Sequence, residues 1–457
     1  MEEIERKKEN KMGTTPVPKL LVTMSLPIMI SMLVQALYNV VDSIFVARYS
    51  ADAMTAVSLA FPVQNFMIAL GVGTGVGINA LLSRNLGEKK YEEANKAAGN
   101  GLFLALCNYI VLALFGIFGT RAFFQAQTNN LAIIESGVQY LTIISTMSFG
   151  LFFTLTLEKL LQATGNTFYS MLTQGAGAIV NIILDPIFIF GLFGVPEMGV
   201  AGAAIATVIG QIVSMFLGIL YNAKRNHEIK IKVRGFRPER SVIWGIYVVG
   251  IPSIIMQSIG SVMVYGFNKI LLLFSEVAVS VFGIYFKLNS FIFMPVFGLN
   301  SGMIPIIAYN YGAKNKKRIM DTVKLSLFIS GGIMAAGFLL FQFASPMLLG
   351  MFKATPEMLQ IGVPALKIIS ISFVFAGFCI NLSSVFQSFG NGILSLVVSV
   401  ARQLFVILPA AYILAMKFGI SAIWWSIPLA EIVSVFLSIV FFKYLYEKKI
   451  HHMEEPI

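Results

Sequence analysis

The sequence predicts an all-α membrane protein: twelve transmembrane helices in two six-helix lobes, related by a pseudo-two-fold axis along the membrane normal. Three observations carry this. Only 12% of the 457 residues are charged and 57% are hydrophobic, whereas a soluble globular protein carries roughly 25% charged residues. The apolar residues lie in long runs rather than short alternating segments, which excludes a transmembrane β-barrel. Soluble enzymes, nucleic-acid binders and disordered chains are excluded with it. Finally, the second half repeats the first.

A hydrocarbon core of about 30 Å needs some 20 apolar residues per helix. That ruler places spans near 19–46, 54–83, 95–120, 131–160, 166–193 and 199–221. Six more lie near 241–274, 278–309, 321–350, 357–387, 392–416 and 419–446. The start, MEEIERKKENK, lacks an apolar stretch followed by a cleavage site and is not read as a signal peptide. The chain divides into a tail (1–14), a first lobe (15–222), a basic linker (223–240), a second lobe (241–446) and a closing tail (447–457).

Lys and Arg concentrate on one side of this arrangement. Arg6, Lys7, Lys8, Lys11 and Lys19, the 84–96 and 314–324 loops, the linker and the last lysines share a side. Arg48, Arg121, Lys353 and Lys417 fall on the other. The positive-inside rule then puts both termini in the cytoplasm, with the protein in the plasma (inner) membrane. This accounts for the net charge of +11 without any nucleic acid. The linker is foremost a topogenic loop, with anionic membrane lipid as a further partner.

The repeat has an offset of 225 residues. Pro27 matches Pro252, Gly73 matches Gly298 and Gly77 matches Gly302. Asn85-Leu86-Gly87 becomes Asn310-Tyr311-Gly312, and the run starting at Gln162 becomes the one starting at Gln387. Each copy holds an even number of spans, so both insert the same way, with a cavity between them. That is the layout of an alternating-access transporter.

Polar side chains within lipid are costly and face a cavity or a partner helix. In the first span Ser31, Gln35, Tyr38 and Asp42 line one helical face. One residue later in the repeat stand Gln257, Ser261, Val264 and Asn268, so the acid has become an amide. In the fifth span Gln174, Asn181 and Asp185 share a face, and Pro186 opens the carbonyl ladder beside the acid. Thr207 and Gln211 make a weaker stripe in the sixth. A carboxyl that takes up a proton loses its hold on a cation, and a cation expels the proton; that competition is antiport. Asp42 and Asp185 are therefore candidates to hold H⁺ or Na⁺. Two rival readings are helix-packing hydrogen bonds and an intramembrane aspartyl protease. The protease would want Gly-x-Gly-Asp where this chain has Ile-Leu-Asp-Pro.

Other intramembrane charges have blander readings. Glu158 and Lys159 are expected to snorkel to the interface. Lys269, Lys287, Lys367 and Arg402, with Glu276 and Glu431 as partners, read as ion pairs or as an electropositive lining for anionic groups. Cys107 and Cys379 stand alone, and His227, His451 and His452 lie outside the spans, so no intramembrane metal centre is built from them. No cofactor is expected beyond the coupling ion.

These residues resemble the multidrug and toxic compound extrusion family over nearly the whole chain, from about residue 15 to 446. The motifs are Ser25-Leu26-Pro27, Val41-Asp42-Ser43, Gln162-Ala163-Thr164-Gly165-Asn166 and the small-residue run Gly199 to Thr207. With an acid in the first span and Asn-x-x-x-Asp-Pro in the fifth, the chain is most similar to the DinF-like prokaryotic branch. The resemblance implies export of cationic amphipathic compounds by a monomer driven by H⁺ or Na⁺, without enzymatic turnover. It implies a first-lobe ion site at Asp42, Asn181, Asp185 and Thr207, with Gln35 and Tyr38 in the adjoining pocket. Ser31, Gln174, Gln257 and Asn268 extend that pocket along the stripes, and Pro27 lets the first helix bend. The branch that couples through the second lobe has acids in spans seven and ten; here stand Asn268 and, at an outer end, Glu357. The alternative is a lipid-linked saccharide flippase of the same superfamily, for which Lys287 and Arg402 would meet a diphosphate.

Overall fold

The structure is a computed structural model that describes residues 10–231 and 236–453. Residues 1–9, 232–235 and 454–457, parts of the two tails and the linker, lie outside the described residues. A short helix α1 (Lys11–Thr14) precedes α2 (Val17–Tyr49), α3 (Ala51–Gly87) and α4 (Tyr91–Phe118). Then come α5 (Thr120–Gln125), α6 (Leu131–Thr146), α7 (Phe149–Ala163), α8 (Thr167–Phe190) and α9 (Gly199–Arg225). The second half holds α10 (Arg240–Leu272), α11 (Glu276–Gly312), α12 (Lys316–Gly350), α13 (Pro356–Ser370) and α14 (Phe373–Ser388). It closes with α15 (Gly392–Val400), α16 (Leu408–Phe418), α17 (Ile420–Ile423) and α18 (Ser426–Leu445). Seven-residue and five-residue π-helical turns follow α15 (Ala401–Ile407) and α18 (Tyr446–Ile450).

Among the described residues, ten helical segments are long and apolar enough to span a membrane unbroken. The remaining two of twelve are bent pairs: α6 and α7 meet at 45°, α13 and α14 at 48°. The sequence reading drew each pair as one span, at 131–160 and 357–387. Neither break carries Pro or Gly: Met147-Ser148 and Ile371-Ser372 interrupt the ladder in stretches that stay apolar. The two bends fall at matching places in the two halves, as expected of a duplicated scaffold.

Short turns make consecutive spans antiparallel, so both described ends of the chain lie at one end of the bundle, here the near end. The buried apolar side chains form three clusters among the described residues. One mixes both halves at the near end, with Leu20, Leu82 and Leu86 beside Leu299, Met303 and Phe386. The others belong to one half each: Phe124, Tyr140 and Ile189 in the first, Phe267, Phe341 and Trp424 in the second. The halves thus merge at the near end and part toward the far end.

Lipid tails are as apolar as Leu, so helices in a membrane associate through close packing and hydrogen bonds rather than apolar burial. The seam follows that rule. Gly77 of α3 lies on the Ile246 carbonyl of α10, and its repeat partner Gly302 of α11 lies on the Ser25 backbone of α2. A β-carbon at either place would force the helices apart. Ser25 Oγ donates to the Leu299 carbonyl at 3.2 Å, and farther out Asn65 Nδ2 donates to Ser261 Oγ at 2.6 Å.

Residues 10–14, read from sequence as tail, are packed. Met12 is fully buried, Asn10 Nδ2 donates to the Thr164 carbonyl of the first half at 3.3 Å, and Asn310 Nδ2 of the second donates to the Met12 carbonyl at 3.0 Å. The described part of the linker is also tied down: Lys230 and Glu239 donate backbone N–H to Asn95 and Asn100 of α4 at 2.7 and 2.9 Å.

Candidate functional site

The stripes on α2, α8 and α9 converge. Gly177 of α8 and Gly210 of α9 let the two backbones cross in contact. One turn away, Asn181 and Thr207 therefore meet side by side. Asn181 donates to Asp185 Oδ2 at 3.2 Å, while its carbonyl accepts from the Thr207 backbone N–H at 3.0 Å and from Thr207 Oγ1 at 3.2 Å. This uses both ends of the amide and fixes its orientation. Asp185 is completely buried.

Asp42 comes to the same place from α2. Its carboxyl faces that of Asp185 within hydrogen-bonding reach, and its Oδ1 is buried without a partner among the described residues. Two ionised carboxylates at that range repel unless a proton or a cation lies between them. Tyr38, one turn back on α2, interacts with both acids. The sequence reading missed Tyr140 of α6, which is buried, interacts with Asp42, Asp185 and Tyr38, and accepts a 2.8 Å hydrogen bond from Gln64 of α3. No spacing rule links residue 140 to residue 42; packing alone brings them together.

Toward the near end, two turns (about 10 Å) from Asp42 along α2 and three turns (about 16 Å) from Asp185 along α8, Gln174 Nε2 donates to Gln35 Oε1 at 3.3 Å. The predicted pocket residues Gln35 and Gln174 thus touch, on the same helix faces as the acids beyond them. Ser31 turns onto its own helix and donates to the Pro27 carbonyl at 3.1 Å. Pro27 has no N–H for the Thr23 carbonyl four residues back, and Thr167 Oγ1 of α8 reaches that carbonyl at 3.4 Å. In the repeat, Pro252 frees the Val248 carbonyl, against which Gly392 packs.

Among the described residues, the second half builds no matching site. Gln257 is exposed, and Asn268 is half-buried with an unpartnered Oδ1 among the described residues. Of its expected ion pairs only one forms: Arg402 Nη1 donates to Glu431 Oε1 at 3.1 Å, from within the first π turn. Lys269, Lys287, Lys367 and Glu276 are exposed and make no ion pair among the described residues, and Lys269 lies over the Tyr265 ring instead. Glu158 and Lys159 do not snorkel. Both are buried, and Lys159 Nζ donates to Gln162 Oε1 at 2.8 Å while Gln162 Nε2 donates to Ser170 Oγ at 3.0 Å. The glutamine of the repeated motif supplies the partner that water would have supplied at the interface.

The MatE family matches residues 27–187 and again 252–413, once in each half. A multidrug export protein MepA of Staphylococcus haemolyticus (strain JCSC1435) is 28% identical over 423 residues, 92% of each chain. A solved structure described as the outward-facing conformation of a multidrug resistance MATE family transporter of the MOP superfamily superposes with a TM-score of 0.90. It has 25% identity and covers 96% of this chain and 98% of its own. A MOP superfamily transporter from Pyrococcus furiosus Vc1 (DSM3638), whose binding pocket is described as reversed in polarity, has the same TM-score, identity and coverage.

Proposed function

Because the chain belongs to the MatE family of multidrug efflux transporters, multi-pass membrane proteins that are not enzymes, we propose that it exports cationic amphipathic compounds in exchange for H⁺ or Na⁺. The exchange takes place in the first lobe, at Asp42 and Asp185, with Asn181 and Thr207 holding the second acid in place. The observation that carries this is the facing pair of carboxyls, one with an orphaned buried oxygen, in a half whose duplicate has no acid at the matching place. The lobes are residues 15–222 and 241–446, the protein is a monomer in the plasma membrane, and both termini are cytoplasmic.

The near end is then the cytoplasmic end, and the molecule is open outward. A proton or Na⁺ entering from outside neutralises the acid pair, weakens its attraction for a bound cation and lets the substrate leave. The lobes rock about the seam, the ion departs inward, and the re-exposed negative charge receives the next cation. Tyr38, Gln35 and Gln174 line the path beside the acids, and the freed carbonyl at Thr23 is where α2 bends. Membrane lipid surrounds the lobes, and the coupling ion is the one bound species the exchange uses besides its substrate. The flippase alternative has less to stand on, since Glu431 neutralises Arg402 and Lys287 stands apart.

Efflux of ethidium from loaded vesicles, under an inward H⁺ or an inward Na⁺ gradient, tests this. Gradient-driven efflux by wild type and its loss in Asp42→Asn and Asp185→Asn are expected. Full efflux in either variant removes that residue from the mechanism.

A further inference from the structure

Away from the acid pair, a cleft of about 620 Å³ opens at the near end, between the start of α2 and the start of α12. Val17 and Pro18 wall one side, and Lys317, Arg318, Lys324 and Leu325 the other. Three cations face one acid, Asp321. We propose that this cleft binds the phosphodiester headgroup of an anionic phospholipid.

Four features of the cleft point to that ligand. First, α12 presents Lys316, Lys317 and Arg318 in its opening turn and no acid. Helix N-termini carry partial positive charge and favour anions, so an anion here meets both the helix end and the basic side chains, with Asp321 as the opposing charge in the lining. Second, Arg318 is held in position: its Nη2 donates to the Met12 and Thr15 carbonyls at 2.9 and 2.7 Å, and its Nε to Asn310 Oδ1 at 3.1 Å. A fixed guanidinium is a better phosphate partner than a free lysine, because less side-chain freedom is lost on binding. Third, α2 and α12 both begin here, so the cleft sits where a spanning helix leaves the polar headgroup layer.

The fourth feature separates a lipid from free phosphate. Lys317, Asp321, Lys324 and Phe328 follow one another at intervals of four, three and four along one face of α12. The face runs from charge into an apolar stripe, where Phe328 is 80% exposed. An inorganic ion would use only the charged end; a lipid uses the headgroup cleft and lays its chains along Leu325 and Phe328. Charges that only set topology need to be on one side of the membrane, but need not converge on a walled cleft with an apolar floor.

The test uses the purified full chain in neutral detergent, with binding read by native mass spectrometry and by the thermal midpoint, so it stands apart from what the protein exports. The probes are phosphatidylglycerol, phosphatidylcholine and inorganic phosphate. Phosphatidylglycerol is expected to bind and raise the midpoint, and the other two to do neither. Lys317→Gln/Lys324→Gln, both at exposed positions, is expected to bind it about thirtyfold more weakly. Lys224→Gln/Lys230→Gln, basic positions of the same end away from the cleft, is expected to match wild type, and Asp321→Asn to bind more tightly. Equal binding by the cleft variant and wild type overturns the proposal, as does equal binding of phosphatidylcholine. A response to inorganic phosphate as large as that to phosphatidylglycerol overturns the lipid assignment in favour of a free-anion site.

Discussion

Gly87 and Gly312 occupy the same position in the two halves, and each lies on the backbone of the other's helix. Gly87 meets the Tyr309 carbonyl and Gly312 the Arg84 carbonyl. The contact seals the near end of the seam by backbone alone. Gly87→Leu therefore forces the halves apart there and shifts the population toward the state open at the near end. Maleimide labelling of a reporter Met303→Cys, at a fully buried seam position, should speed up about tenfold in that background. Unchanged labelling would mean the seam closes by other contacts.

Asn181 is the link between Asp185 and Thr207, and Asn181→Leu keeps its bulk while removing all three hydrogen bonds. Gradient-driven efflux should fall at least about tenfold, with a stability loss of about 1–3 kcal/mol from the polar groups left unpaired. A variant that unfolds less readily than wild type yet transports normally would show the amide to be dispensable.

The buried Glu158 and Lys159 predict a cycle rather than a single number. Lys159→Met strands Glu158 and Gln162 and should cost about 3–5 kcal/mol. Glu158→Gln/Lys159→Met removes both charges and should cost less than Lys159→Met alone. Thermal midpoints in detergent decide it; simple additivity of the two single changes would show that the charges do not sense each other.

Arg318 fastens residues 12–15 of the first half to the second. Arg318→Gln should leave the helices intact but free that segment. Hydrogen exchange of amides 12–15 is the measurement, with protection reduced by about tenfold or more, as expected for losing two charge-assisted bonds. Protection equal to wild type would place the anchor elsewhere, in the Asn310 contact.

The spans, their number and the duplication were legible because each is written in local composition: long apolar runs, and motifs returning at one offset. The acid site was legible in part. Asp42, Asn181, Asp185 and Thr207 sit on helical stripes, and a stripe shows which face turns inward. Tyr140 and Gln64 escaped because their role comes from α6 packing against α3 and α9, which no spacing within one helix encodes. The bends at Met147-Ser148 and Ile371-Ser372 escaped for a similar reason, since hydropathy runs through them unbroken. Lys159 was misread because a lone intramembrane lysine near a span end usually finds water; here Gln162, three residues on, meets it first. The short α1 was invisible because its four residues fold only against partners from both halves.

The Asn65–Ser261 bridge is the outermost cross-lobe hydrogen bond among the described residues. Asn65 divides α3 unequally: about 21 Å of helix lies beyond it toward the far end, and about 33 Å between it and Gly87. With that bridge as fulcrum, α3 is a lever whose inner arm is the longer. A turn of about 10° that moves the far tip by about 4 Å moves the near tip by about 6 Å. Closing the outer mouth by about 4 Å would then open the inner one by about 6 Å, so the breadth of what can leave is limited at the outer lip rather than at the inner.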